Sequence, residues 1–144
     1  MPLNKGCIQY SGRKKDCPVY QNGKTYRIIN QSGSALSVYE VDPCLIPDRL
    51  EKKCDYLVLA DTEKEGKAFL IELKGSDISS AIQQIESSLN ILGASLKGYK
   101  IFGRVIGRRV TPNIRSRRAS LEEKLRMLGG NLQIVSGTEY AETV

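Results

Sequence analysis

At 144 residues, 40% of them apolar and 26% charged, the chain has the size and balance of one ordinary globular domain, and disordered or collagen-like classes are excluded. Its 22 basic and 16 acidic residues leave a net charge of +6, which draws it toward polyanions such as nucleic acid or anionic lipid. It has no histidine, so Ser-His-Asp and Cys-His catalysis are excluded, as is any zinc site that needs imidazole.

Residues 1–24 carry Gly, Pro, Lys and Asp without a clear period and read as an irregular lead segment to a core spanning 25–136. This start lacks the apolar core of a signal peptide, and no apolar run approaches the length of a membrane span. A cytoplasmic location without membrane contact is therefore expected. In that compartment Cys7, Cys17, Cys44 and Cys54 are expected as reduced thiols. A four-cysteine zinc site is the alternative, but neither pair has CxxC spacing.

From Thr25, the run TYRIINQSGSALSVYEV places two β-prone stretches around Ser32-Gly33-Ser34, the pattern of a hairpin. Residues Asp42 to Lys53, with two prolines and several charges, read as a connection. CDYLVLAD and KAFLIELKG, parted by the charged turn TEKEG, predict a second hairpin. Its nearly continuous apolar runs suit strands buried on both faces. Ser76 or Asp77 can then cap a helix in which Ile78, Ala81, Ile82, Ile85, Leu89 and Leu92 recur at helical spacing, and Gly93 stops it.

GYKIFGRVIG predicts another strand, followed by an arginine-rich connection. Ser120 with Glu123 matches a capping box for a second helix whose apolar face is Leu121, Leu125 and Leu128, closed by Gly129-Gly130. NLQIVSG is a last short strand, and residues 137–144 read as a frayed tail. The order predicts an α/β (α+β) fold, a mixed central sheet flanked by helices.

Within KAFLIELKG, Glu72 and Lys74 stand two apart and share one face of an otherwise apolar strand. Burying either charge costs several kcal/mol unless it is paired or bound to a metal. Asp55 opens the preceding strand, and the hairpin brings it close to Glu72. Two converging carboxylates make a hard-oxygen site suited to Mg²⁺ or Mn²⁺, which keep waters and take phosphate oxygens. A lysine beside such an ion can orient or deprotonate the attacking water and stabilise charge on phosphate.

Asp55, then Glu72-Leu73-Lys74 on the next strand, then a helix bearing Gln84, resembles the PD-(D/E)XK nuclease superfamily over about residues 40 to 105. The resemblance implies a restriction-endonuclease-like core. Asp55 and Glu72 would be metal ligands, Leu73 would offer its backbone carbonyl, and Lys74 would be the catalytic lysine. It further implies a glutamine near the site, Gln84 in preference to Gln83, and an additional acidic residue, for which Glu40 and Asp42 are candidates. Cys54 stands where the motif has proline.

Arg104, Arg108, Arg109, Arg115, Arg117 and Arg118 cluster between the last β-prone run and the last helix, as an arm suited to gripping phosphates. No aromatic residues interleave with them, which favours a duplex or branched backbone over stacked single strands. The expected function is a Mg²⁺-dependent endonuclease acting on DNA, resolvase-like, with a homodimer as one expected assembly. A non-catalytic nucleic-acid-binding protein on the same fold, or an RNA-directed nuclease, is the alternative.

Overall fold

A computed structural model describes residues 2–73, 78–107 and 115–144. Its larger sheet contains β1 (Ile8–Gly12), β4 (Ala35–Glu40), β5 (Tyr56–Asp61), β6 (Gly66–Leu73), β7 (Tyr99–Gly107) and β8 (Leu132–Ser136), side by side in that order. The first four pair antiparallel, whereas β6, β7 and β8 run parallel. The smaller sheet joins β2 (Asp16–Gln21), β3 (Lys24–Ile29) and β9 (Glu139–Thr143), with β3 central. Among the described residues the α-helices are α1 (Ile78–Leu92) and α2 (Arg115–Met127).

The mixed sheet with helices packed against it agrees with the α/β expectation, and alternation along the strands builds two cores. Tyr39, Leu57, Leu59, Ala68, Leu70, Ile101 and Val105 project to one face and meet Ile78, Ala81, Ile82, Ile85, Leu89 and Leu92 of α1, with Leu121 and Leu125 of α2. Val38, Val58, Phe69, Ile71 and Leu73 project to the other and meet Cys17, Val19, Tyr26 and Ile28 of the smaller sheet. The larger sheet is thus sandwiched, which explains why β5 and β6 are apolar on both faces. Their hairpin forms as expected, with Tyr56 opposite Ile71 and Asp61 opposite Gly66.

Four expectations are corrected. The lead segment is not irregular, since it contributes β1 to one sheet and β2 to the other. The tail is not frayed, since β9 pairs in parallel with β3. The β-prone runs around Gly33 are not a hairpin, because β3 and β4 belong to different sheets. Asn30 shapes that crossing. Its side chain accepts from the Ser34 N–H at 2.9 Å and donates to the Ser34 carbonyl at 2.9 Å and the Lys14 carbonyl at 3.2 Å. Lastly, α2 starts at Arg115, so Ser120 lies inside the helix and caps nothing, while Glu123 pairs with Arg126. Burial of Leu121 and Leu125 sustains the extra turn.

The cysteines also differ from expectation. Cys7 and Cys44 form a disulfide, because a 3-10 turn at Lys5–Cys7 meets the helical turn Val41–Leu45 that follows β4. Cys17 and Cys54 are free thiols in separate cores, so the four cysteines share no zinc site. Among the described residues, no helix is long and apolar enough to cross a membrane.

Candidate active site at the C-terminal end of β6

β6 carries Glu72 one rung before its end, and alternation with Ala68 and Leu70 turns that side chain toward the α1 face. It is 2% exposed. Asp55 precedes β5, where the regular ladder with β6 stops at Tyr56–Ile71. There the Leu73 N–H donates to Asp55 Oδ2 at 2.9 Å, while the Asp55 N–H donates to the Ile71 carbonyl at 3.0 Å. A carboxylate thus stands where a backbone carbonyl would otherwise end the ladder. Lys74, which follows directly, lies outside the described residues.

Cys54 lies next to Asp55 and within the electrostatic reach of both carboxylates. Its thiol is pushed up to about 12, mainly by burial, and Glu72 and Asp55 raise it further while a hydrogen bond with Ser88 lowers it. Ser88, buried on α1, accepts the Cys54 N–H at 2.8 Å and so fixes the strand entrance against the helix. Tyr56 is raised too, by burial first and then by Asp55 and Glu40.

Gln84 lies beside this entrance, its Nε2 donating to the Lys53 carbonyl at 3.0 Å, one residue from Cys54 and two from Asp55. Gln83 turns to Lys52 instead. Of the two glutamines, Gln84 is the one directed at the β5 entrance, and its partner there is backbone. The Leu73 carbonyl accepts Asn22 Nδ2 at 2.9 Å, which ties the tip of the β2–β3 hairpin to the end of β6. That tether comes from the lead segment, and nothing in the local pattern of Asn22 pointed to it.

The two extra acidic candidates separate. Glu40 pairs in register with Tyr56, on the face opposite Val41 and Glu72, and accepts Gln9 Nε2 at 3.1 Å. It does not join Asp55 and Glu72, because one residue of strand reverses the face. Asp42 forms a 3.8 Å ion pair with Lys53, which places it on the rim near the β5 entrance. Among the described residues, no group of three or more acidic or cysteine side chains lies at metal-binding spacing. The donor set within reach is two carboxylates and one carbonyl, which is hard-oxygen chemistry.

The arginine arm divides as well. Arg104 is corrected from a nucleic-acid contact to a core residue: it is 4% exposed, grips Glu142 through Nε at 2.6 Å and Nη2 at 3.1 Å, and lies over Phe69 and Phe102. Alternation along β7 turns it between the sheets. Arg108 and Arg109 lie outside the described residues. Arg115 opens α2, Arg117 is exposed, and Arg118 is partly engaged by Glu122 at 3.2 Å.

Helix α2, whose first turn carries these arginines in its sequence, starts at the end of the sheet where β6, β7 and β8 all terminate, which is the end that holds Asp55 and Glu72. The first turn of α2 has no acidic residue. Cations there add to the positive helix terminus and make an anion-attracting corner. No family model, curated protein or solved structure matches this chain, so the reading of the site stands on these residues alone.

Proposed function

We propose that the protein is a divalent-metal-dependent phosphodiesterase that cleaves nucleic acid, DNA in preference to RNA, through a site built on Asp55, Glu72 and Lys74. The observation that carries this reading is a buried carboxylate, Glu72, beside a second, Asp55, at the end of an apolar strand. Two carboxylates on the same face at the ends of neighbouring strands make a hard-oxygen donor pair, the chemistry that a small divalent cation takes.

The residues fit a small hard ion. Asp55 and Glu72 would hold it, and it would supply Lewis acidity at the phosphoryl oxygen together with an acidified water. Asp55 is pre-set for this role by the Leu73 N–H, which fixes one carboxylate oxygen. Gln84 keeps the Lys53–Asp55 backbone in place, and Ser88 does the same one residue on. Lys74 follows Leu73 directly in the sequence, and in this reading its ammonium would orient water or meet developing phosphate charge. Arg115, Arg117 and Arg118 would hold the backbone of a duplex or branched substrate.

The test is a cleavage panel of duplex, single-stranded and branched DNA and of RNA, with Mg²⁺, Mn²⁺ or EDTA. Cleavage of at least one DNA form, lost in EDTA, is expected. Glu72→Gln should abolish it without lowering the melting temperature, because removing a buried charge also removes its desolvation cost, and Lys74→Ala should abolish it as well. Variants that melt much earlier yet cut at the wild-type rate per folded molecule would make both residues structural. Cleavage of RNA alone would favour the RNA-directed reading, and binding without any cleavage the non-catalytic one.

A further inference from the structure

Among the described residues, three charged side chains besides Glu72 are buried: Lys24, Lys53 and Arg104. Arg104 is matched by Glu142, and Lys53 by Asp42 and the Asp48 carbonyl. Lys24 is 4% exposed, yet among the described residues its ammonium forms no hydrogen bond or ion pair. The Lys24 stem is buried over apolar surface while its Nζ is not sealed from solvent, so the head meets water there and can meet an anion.

The fold says where that head lies. Lys24, Tyr26 and Ile28 alternate inward on β3, and the Tyr26 ring lies 6.4 Å from that of Phe69 on β6. The hairpin tip touches the end of β6 through Asn22 and Leu73. Lys24, one inward position before Tyr26, therefore falls at the level of Ile71 and Leu73. This is the rim where the parallel strands β6, β7 and β8 all end, with Leu73 opposite Ile106 and Gly107 opposite Ser136. Ligands of sheets with parallel strands gather at such carboxyl ends.

The hairpin is also held firmly at this point. Tyr56, adjacent to Asp55, donates its Oη to the Tyr20 carbonyl at 3.0 Å, and the Asn22-Gly23 turn has the positive φ angles of a tight hairpin, 53° and 71°. The Tyr20 side chain is 61% exposed beside it. A rigid tip with a poised cation is suited to meeting a strand that enters the site.

We propose that Lys24 is a positioning residue that takes a phosphate oxygen of the bound nucleic-acid strand, on the side of β6 opposite Glu72. For the identity of the anion this rests on the phosphodiesterase reading. The β2–β3 hairpin then forms one wall of the substrate track and α2 the other, with the carboxylates between them.

The experiment measures duplex DNA binding in EDTA across a salt series, and cleavage with Mg²⁺, for the wild type, Lys24→Met and Lys24→Arg. Lys24→Met should bind with a slope of log affinity against log salt about one unit shallower, raise KM with little change in kcat, and melt no earlier than wild type. Lys24→Arg should keep the wild-type slope, which separates charge from packing if the methionine variant folds poorly. A wild type that binds and cleaves, with Lys24→Met showing the same slope, overturns the assignment and leaves the phosphodiesterase reading standing. A shallower slope in a protein that binds but never cleaves has the opposite meaning. A wild type that neither binds nor cleaves removes both.

Discussion

Cys54 occupies the position before Asp55, buried among Ser88, Asp55 and Glu72, and its thiol is held at about 12 by burial first and the carboxylates second. A thiol in that state is no nucleophile at neutral pH, so Cys54 supplies packing and not a reactive group at this end of the sheet. The shift also makes a stability statement. In the unfolded chain the thiol loses its proton near 9, whereas the native state retains it to about 12. The native state therefore binds more protons through that window, and stability falls as pH rises from 9 toward 12, by at most about 1.4 kcal/mol per unit. Below 9 the contribution is fully present. Urea unfolding of the wild type and Cys54→Ala should show the wild-type advantage shrinking by about 2 kcal/mol between pH 8.5 and 10.5. An advantage that stays constant across those pH values would mean that the thiol titrates normally.

At the scale of elements, β9 is the clearest case of tertiary context deciding structure. Its sequence, Glu-Tyr-Ala-Glu-Thr, carries two carboxylates and has no strong strand preference. It is held because Glu142 meets Arg104 and accepts the Tyr26 hydroxyl at 2.6 Å, between two sheets that bury Tyr26 and Arg104 and half-bury Glu142. That hydroxyl is raised well above its ordinary range, by burial first and then by Glu142. Glu142→Ala leaves Arg104 buried without its anion, at a cost of about 3 to 5 kcal/mol, or roughly 10 °C in melting temperature. Glu139→Ala, which loses only an exposed contact to Arg27 at 3.4 Å, should cost under about 1 kcal/mol. Equal melting of the two variants would refute the role given to Glu142. What could be read from sequence divides on the same line. The β5–β6 hairpin and the Ile78–Leu92 helix were legible because their patterns are long and their partners local. The lead strands were not, because β1 is five residues with a terminal glycine and β2 contains Pro18, a residue tolerated in an edge strand but read as a breaker. Nor did the Gly33 loop reveal whether its two strands pair or part, since both outcomes share a period of two. Of the site, Asp55, Glu72 and Gln84 were legible because a charge or amide beside an apolar run stands out. Asn22 and Lys24 were hidden in a segment without a period, and Glu40 was misjudged by one residue of alternation.

Across the whole molecule, the net charge of +6 is not spread evenly in its consequences. Arg104 is neutralised in the core, and Arg27 is bound by Asp16 at 2.7 Å and by Glu139. The α2 end has no acidic residue in its first turn, and Arg117 there is exposed. Arg118, one residue on, spends part of its charge on Glu122 at 3.2 Å. Cations near a helix N-terminus cost about 0.3 to 1 kcal/mol against the helix dipole, a penalty that a bound phosphate reverses. The two arginines should therefore differ. Arg117→Ala is expected to make the salt dependence of DNA binding about one unit shallower and to leave the helix as stable or slightly more so. Arg118→Ala should change that slope by less, because Glu122 already screens it, and should cost the few tenths of a kcal/mol of an i,i+4 pair. Binding titrations between about 50 and 200 mM salt resolve the difference, since that range spans a large change in polyelectrolyte affinity. If neither substitution moves the slope, α2 is not part of the binding face, and Lys24 is left as the described cation at the end of the parallel strands.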